Sequence, residues 1–175
     1  MSLLSRWFTR LVVGAVVVAV LAAGCSSDPA SDASREADAY EAILRWIIDR
    51  TDDDVATGEN ETRLVFIDNL GPDEIPLDIQ VELVARLAEE AKLRFVDELE
   101  EAIDVDIEDR PVRDGGVLVG LGVVPDEPPV EVRGELYLGI DDVHGWRFPL
   151  MMRAGRWELR DEPEVVDPEG LVEAP

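Results

Sequence analysis

The chain has 175 residues, with 40 Asp or Glu against 16 Lys or Arg and a formal net charge of −24. A surface so acidic repels nucleic acid and anionic lipid headgroups. Cys25 is the only cysteine, His144 the only histidine, and no serine follows Ser34; this excludes a disulfide staple, a Ser-His-Asp triad and a thiolate nucleophile in the folded part, and argues against a zinc or copper centre or any other cofactor.

Arg6 and Arg10 precede a thirteen-residue apolar run at 11–23 that ends in small residues, the anatomy of an export signal. A spanning helix needs about 20 apolar residues, so the run is short for a permanent anchor. Residues before Arg10 could extend it into an uncleaved signal anchor, the competing reading. The stretch Leu21-Ala22-Ala23-Gly24-Cys25 resembles the lipobox of bacterial lipoproteins, with Ala22 where leucine is commoner. The resemblance implies that residues 1–24 are removed and that Cys25 carries fatty acyl chains, palmitate among them, on the extracytoplasmic face of the cell membrane. Two or three chains, at roughly 0.8 kcal/mol per buried methylene, hold a protein stably. Cleavage leaves 14 basic against 40 acidic residues, a net of −26. Such a charge also suits a salt-rich setting, where screening relieves self-repulsion.

Residues 26–34 are small, polar and proline-containing, which predicts a flexible tether spanning about 15–18 Å. Tyr40, Ile43, Leu44, Ile47 and Ile48 recur at helical spacing over 35–50, with Ser34 as N-cap. Turn chemistry follows, then a short strand at 64–67. Over 77–103, Val84, Leu87, Ala91, Phe95 and Leu99 form a single stripe, which predicts one long helix starting near Pro76 and packed on a sheet.

From Gly115 the period becomes two. Val117, Val119, Leu121 and Val123 share one face while Leu118, Gly120, Gly122 and Val124 share the other, as expected of a central strand. Gly120 and Gly122 leave room either for close packing of the long helix or for the floor of a pocket. In the next run Val130, Val132, Leu136, Leu138 and Ile140 define a buried face, and Glu131, Arg133, Glu135 and Tyr137 a wet one. A turn centred on Val143 would set Ile140 opposite Trp146, Leu138 opposite Phe148 and Leu136 opposite Leu150. Ala154-Gly155 then reverses the chain so that Met152 meets Trp157 and Leu150 meets Leu159. Pro149 cannot donate to a ladder, so it predicts an edge or a bulge. Residues 161–175 are acidic and proline-containing and read as a loose tail.

These elements predict an α+β domain over residues 35–160, two helices packed on one face of a curved, mainly antiparallel sheet that ends in a meander. Their order resembles the cone-shaped sheets of the nuclear-transport-factor-2-like superfamily. The acidic, arginine-rich composition, the lipobox and the stretch Arg113-Asp114-Gly115-Gly116-Val117-Leu118-Val119 are also similar to envelope lipoproteins of high-GC Gram-positive bacteria, a family that implies no established activity.

Few residues invite chemistry. Asp104, Asp106 and Glu108 could offer oxygens to calcium, but an EF-hand loop counted from Asp104 fails, with Asp109 and Gly115 at the positions that require glycine and glutamate. Asp141 and Asp142 beside His144 could orient a general base, although a tight turn uses aspartates for its own hydrogen bonds. The leading expectation is a non-catalytic, lipid-anchored domain that binds an envelope protein or a small ligand and has no metal. The alternatives are a cone-fold enzyme using carboxylates with His144 or Tyr137, and an acidic surface whose role is solvation or cation binding.

Overall fold

The computed structural model describes residues 29–51, 62–109 and 111–171. Helix α1 (Pro29–Thr51) and helix α2 (Leu77–Arg86) pack on one face of a mixed, mainly antiparallel sheet. The strands are β1 (Arg63–Asn69), β2 (Ala91–Phe95), β3 (Val117–Leu121), β4 (Val130–Gly139), β5 (Asp142–Arg153), β6 (Arg156–Leu159) and β7 (Glu164–Val166). The spatial order is β2-β1-β3-β4-β5-β6, with β7 also paired to β5. Pairings β1 to β2 and β1 to β3 are parallel, and all others are antiparallel.

The helical stripe of α1 forms as its spacing requires: Ala37, Tyr40, Ile43, Leu44 and Ile47 are almost wholly buried against Val65, Ile67, Val117, Val119 and Phe148. At about 1.5–3 kcal/mol per fully buried large side chain, this layer is the main source of stability. The helix begins at Pro29, six residues before the expected start and inside the expected tether. Proline suits a first helical turn, where its missing N–H has no intrahelical partner, and Ser34 is therefore interior rather than a cap. Residues 25–28 lie outside the described residues. The far end of α1 is closed by buried Arg63, which donates from Nη1 to the Ile48 carbonyl at 2.9 Å and from Nη2 to the Thr51 carbonyl at 2.9 Å.

The long helix expected over 77–103 is not formed. α2 stops at Arg86, a turn through Glu89 and Glu90 follows, and the chain becomes strand β2. Ala91, Leu93 and Phe95 have strand spacing as well as partial helix spacing, and burial of Ala91 and Leu93 beside β1 decides for the strand. Between β2 and residue 103 the helical part is a single 3-10 turn, Leu99–Glu101. The second helix is thus shorter than expected, and a parallel strand stands between it and the antiparallel run.

β3 is central and buried at every position, as its two apolar faces predict. The β5 to β6 register pairs Leu150 with Leu159 and Met152 with Trp157, as expected. The β4 to β5 hairpin differs: Leu136 faces His144, Gly134 faces Trp146, Val132 faces Phe148 and Val130 faces Leu150. The turn is tighter than expected and is followed by an irregularity between Tyr137 and Gly139. Large residues thus meet small ones. A Cβ at Gly134 would stand 2.6 Å from Phe148 Cε2, and the space lets Trp46 of α1 reach Trp146 and Phe148 edge-on, each at 5.2 Å between centroids. Pro149 causes no bulge. Its carbonyl accepts from Arg160 N–H at 2.8 Å, one residue beyond β6, so its missing donor faces the place where that ladder ends.

The second face of the sheet, expected to be wet on the strand that carries Glu131, Arg133, Glu135 and Tyr137, is covered over Glu135 and Tyr137. Phe66, Leu118, Tyr137, Val96, Ile103 and Leu171 form a smaller core there, roofed by irregular chain instead of helix. Glu135 is fully buried and Tyr137 nearly so. Close packing also explains the strand glycines. A Cβ on Gly120 would stand 2.6 Å from Leu70 Cδ2, and one on Gly122 would stand 3.0 Å from Arg133 Cβ, so neither the long helix nor a pocket occupies that space.

The expected loose tail is ordered as far as Leu171. β7 pairs with β5, and the following turn wraps onto Glu135, whose carboxylate accepts N–H bonds from Glu169 at 2.8 Å, Gly170 at 3.0 Å and Leu171 at 2.8 Å, and from Arg133 Nε at 2.7 Å. Burial pushes this carboxyl group up, but the amides of Glu169, Leu171 and Gly170 and the Arg133 guanidinium outweigh it and hold the group below its ordinary value.

Candidate functional site

Parallel strands β1 and β2 deliver their carboxyl ends to one rim of the sheet, the region where open sheets of this kind commonly receive ligands. A cleft of about 150 Å³ lies there, lined by Asp68 and Asn69 from the end of β1, Val96 and Asp97 after β2, and Asp73 and Ile75 before α2. Asn69 organises the rim: Oδ1 accepts from Gly71 N–H at 3.2 Å, while Nδ2 donates to the Gly71 carbonyl at 3.3 Å and to the Asp73 carbonyl. Gln80 fixes the start of α2 by donating to the Ile75 carbonyl at 2.7 Å. Asp68 is half-buried, and burial raises its carboxyl pKa, offset only in part by Asn69 N–H at 2.8 Å. The rim offers acceptors and negative charge to a small donor-rich or cationic group, and its lining has no hydroxyl, thiol or amine side chain. No cluster of three His, Cys, Asp or Glu suited to a metal ion occurs among the described residues.

The residues singled out from sequence do not converge. Cys25 lies outside the described residues. His144 Nε2 and Asp142 Oδ1 are 2.8 Å apart at the hairpin end, both about half exposed, and the imidazole stacks on Trp146 at 5.7 Å. Tyr137 is paired with Val143 and points to the opposite face of the sheet, into the smaller core. Asp104, Asp106 and Glu108 sit on a surface loop where Asp104 Oδ1 accepts from Asp106 N–H at 3.3 Å.

Sequence reasoning missed three buried or half-buried charges: Arg63, Asp68 and Glu135. Glu135 alternates with apolar positions of its strand, and that alternation was the available signal, whereas Arg63 stands between Thr62 and the unbroken apolar run 64–67. In Glu135 it was read as a solvent face because the roof over it is irregular chain without periodicity. A further charged cluster ties the helices together, where Arg86 Nη1 meets Asp38 at 2.5 Å and Glu41 at 2.7 Å. Among the described residues no helix is long and apolar enough to cross a membrane. No protein-family model, curated protein or solved structure matches the chain.

Proposed function

We propose that this protein is a lipid-anchored, extracytoplasmic binding domain, held at the membrane through acyl chains on Cys25 and acting by contact with an envelope protein or a small ligand rather than by catalysis. The observation that carries the anchor is the run Leu21-Ala22-Ala23-Gly24-Cys25 behind Arg6, Arg10 and a thirteen-residue apolar segment. The filled sheet supports the binding role. Both faces are packed, the larger by α1 and α2 and the smaller by irregular chain, which leaves the rim of β1 and β2 and the outer surfaces for recognition. Of the two forms of the enzymatic alternative, Tyr137 is buried in the smaller core, and His144 meets the Asp142 carboxylate at 2.8 Å at a half-exposed hairpin end.

Metabolic labelling with an alkyne-bearing palmitate tests the anchor. The native chain incorporates label and fractionates with membranes; Cys25→Ala incorporates none. An intact mass showing an uncleaved leader or an unmodified thiol at Cys25 overturns the reading.

A further inference from the structure

The β5 to β6 hairpin closes on a two-residue turn, with Ala154 at φ 51° and Gly155 at φ 85°, so Arg153 and Arg156 form the first hydrogen-bonded pair. Pairs alternate from there: Met152 with Trp157 is non-bonded, Met151 with Glu158 is bonded, and Leu150 with Leu159 is non-bonded. The bond from Arg160 N–H to the Pro149 carbonyl at 2.8 Å keeps the same phase. The backbone N–H and C=O groups of Trp157 and Leu159 consequently face away from β5, along the free edge of β6. β7 does not cover them, because it pairs with β5 at residues 145–147.

A groove of about 280 Å³ runs beside that edge, with Asp38, Glu41, Ala42 and Arg45 of α1 as its opposite wall. Trp157 lines it and is only 7% exposed, yet its indole N–H has no acceptor among the described residues. The groove thus presents outward main-chain donors and acceptors at strand spacing, which is the complement of an extended backbone.

We propose that the groove between α1 and β6 receives an extended, basic polypeptide segment of a partner, which joins the sheet as an added strand along Trp157 and Leu159. The basic character follows from charge. Of the lining cations, Arg45 is engaged by Glu41 at 3.1 Å and by Glu90, and Arg156 lies 3.9 Å from Asp38, against the lining acids Asp38, Glu41 and Glu158. The field that an approaching segment meets is that of a molecule with 40 acidic and 16 basic residues, which steers cations inward and repels anions. The inference rests on the binding-domain reading, but it does not depend on the lipid, whose presence the intact mass reports separately.

The test uses the full chain in detergent, followed by amide hydrogen exchange at single-residue resolution. The probe is a blocked Arg-Val-Thr-Val-Arg peptide, compared with the same peptide N-methylated at alternate amides and with Glu-Val-Thr-Val-Glu. The basic peptide slows exchange of the Trp157 and Leu159 amides by about tenfold or more, added salt weakens the effect, and neither control peptide produces it. Leu159→Pro, which deletes an outward donor and spares the β5 ladder, abolishes protection; should that variant misfold, the N-methylated peptide makes the same deletion on the ligand. Unchanged exchange, protection that survives N-methylation, equal protection by the acidic peptide, or protection that depends on protein concentration without peptide each overturns the proposal.

Discussion

Replacing Glu135 with Gln removes one negative charge from beneath the C-terminal turn and sets an NH₂ group against main-chain N–H donors. The carboxylate accepts from three amides, those of Glu169, Gly170 and Leu171, and from Arg133, all between 2.7 and 3.1 Å. Breaking one partner of a buried, charge-assisted cluster costs about 3–5 kcal/mol when the rest stays in place. The chain has a less expensive response, which is to let residues 167–171 come off. That forfeits burial of Leu171, about 1.5–3 kcal/mol, and lets water reach the stranded donors. The expected loss is therefore about 2–4 kcal/mol, a large share of the roughly 5–15 kcal/mol that a domain has. Urea unfolding measures the loss, and limited proteolysis after residue 166 shows the released turn. On a chain ending at residue 166 the same substitution costs under about 1 kcal/mol, because Glu135 is then solvated. A full-length Glu135→Gln variant within about 0.5 kcal/mol of the parent, with its C-terminal turn still protected, would refute the clamp.

Acid should act through the same group. Folded Glu135 sits below its ordinary value of 4.5, so its contribution is complete above that value and is lost as pH falls through the lower folded value; a stability curve flat from pH 5 to pH 2 in the parent but not in Glu135→Gln contradicts this. Asp68 has the opposite sign. Burial raises its pKa, so the charged form costs folded stability above the folded value, and Asp68→Asn raises the melting temperature at pH 7 with the gap closing on acidification. Arg63→Met leaves the carbonyls of Ile48 and Thr51 without their guanidinium and lowers stability by about 2–4 kcal/mol in denaturant titrations. Gly134→Ala drives a methyl into Phe148 and costs about 1–3 kcal/mol, with Trp46 fluorescence altered by the displaced ring cluster. With 40 acidic against 16 basic residues, midpoints in urea should rise as potassium chloride screens repulsion; a falling midpoint excludes self-repulsion as a significant cost.

Much of the fold was legible because burial imposes a period. The stripe from Tyr40 to Ile48, the double-faced strand at Val117–Leu121 and the pairing of Met152 with Trp157 each follow from side-chain spacing and turn chemistry. The β4 to β5 register was not legible, because a displacement of six residues keeps every side chain on its own face. Pattern fixes the face, and volume fixes the partner: Gly134 accommodates Trp146 in a way that no alternation reveals. Residues 77–103 misled for a related reason, since Ala91 and Phe95 are four apart and fit a helix stripe, while Leu93 between them reports the strand only once β1 is beside it. The candidate site was the least legible part. Asp68 and Asn69 acquire meaning at the end of a parallel pair, and parallel neighbours leave no local mark on a sequence.

The roof over the smaller core has a bearing on biosynthesis. Leu171 and the turn that grips Glu135 are synthesised well after Phe66, Leu118 and Tyr137, which lie beneath them. A nascent chain not yet extended to residue 171 therefore has, of the buried roof residues, only Val96, Ala102, Ile103 and Val112 over that sheet face, leaving part of it visible to chaperones and proteases. Full burial of that face therefore waits on residues 167–171, long after the strands beneath have been made.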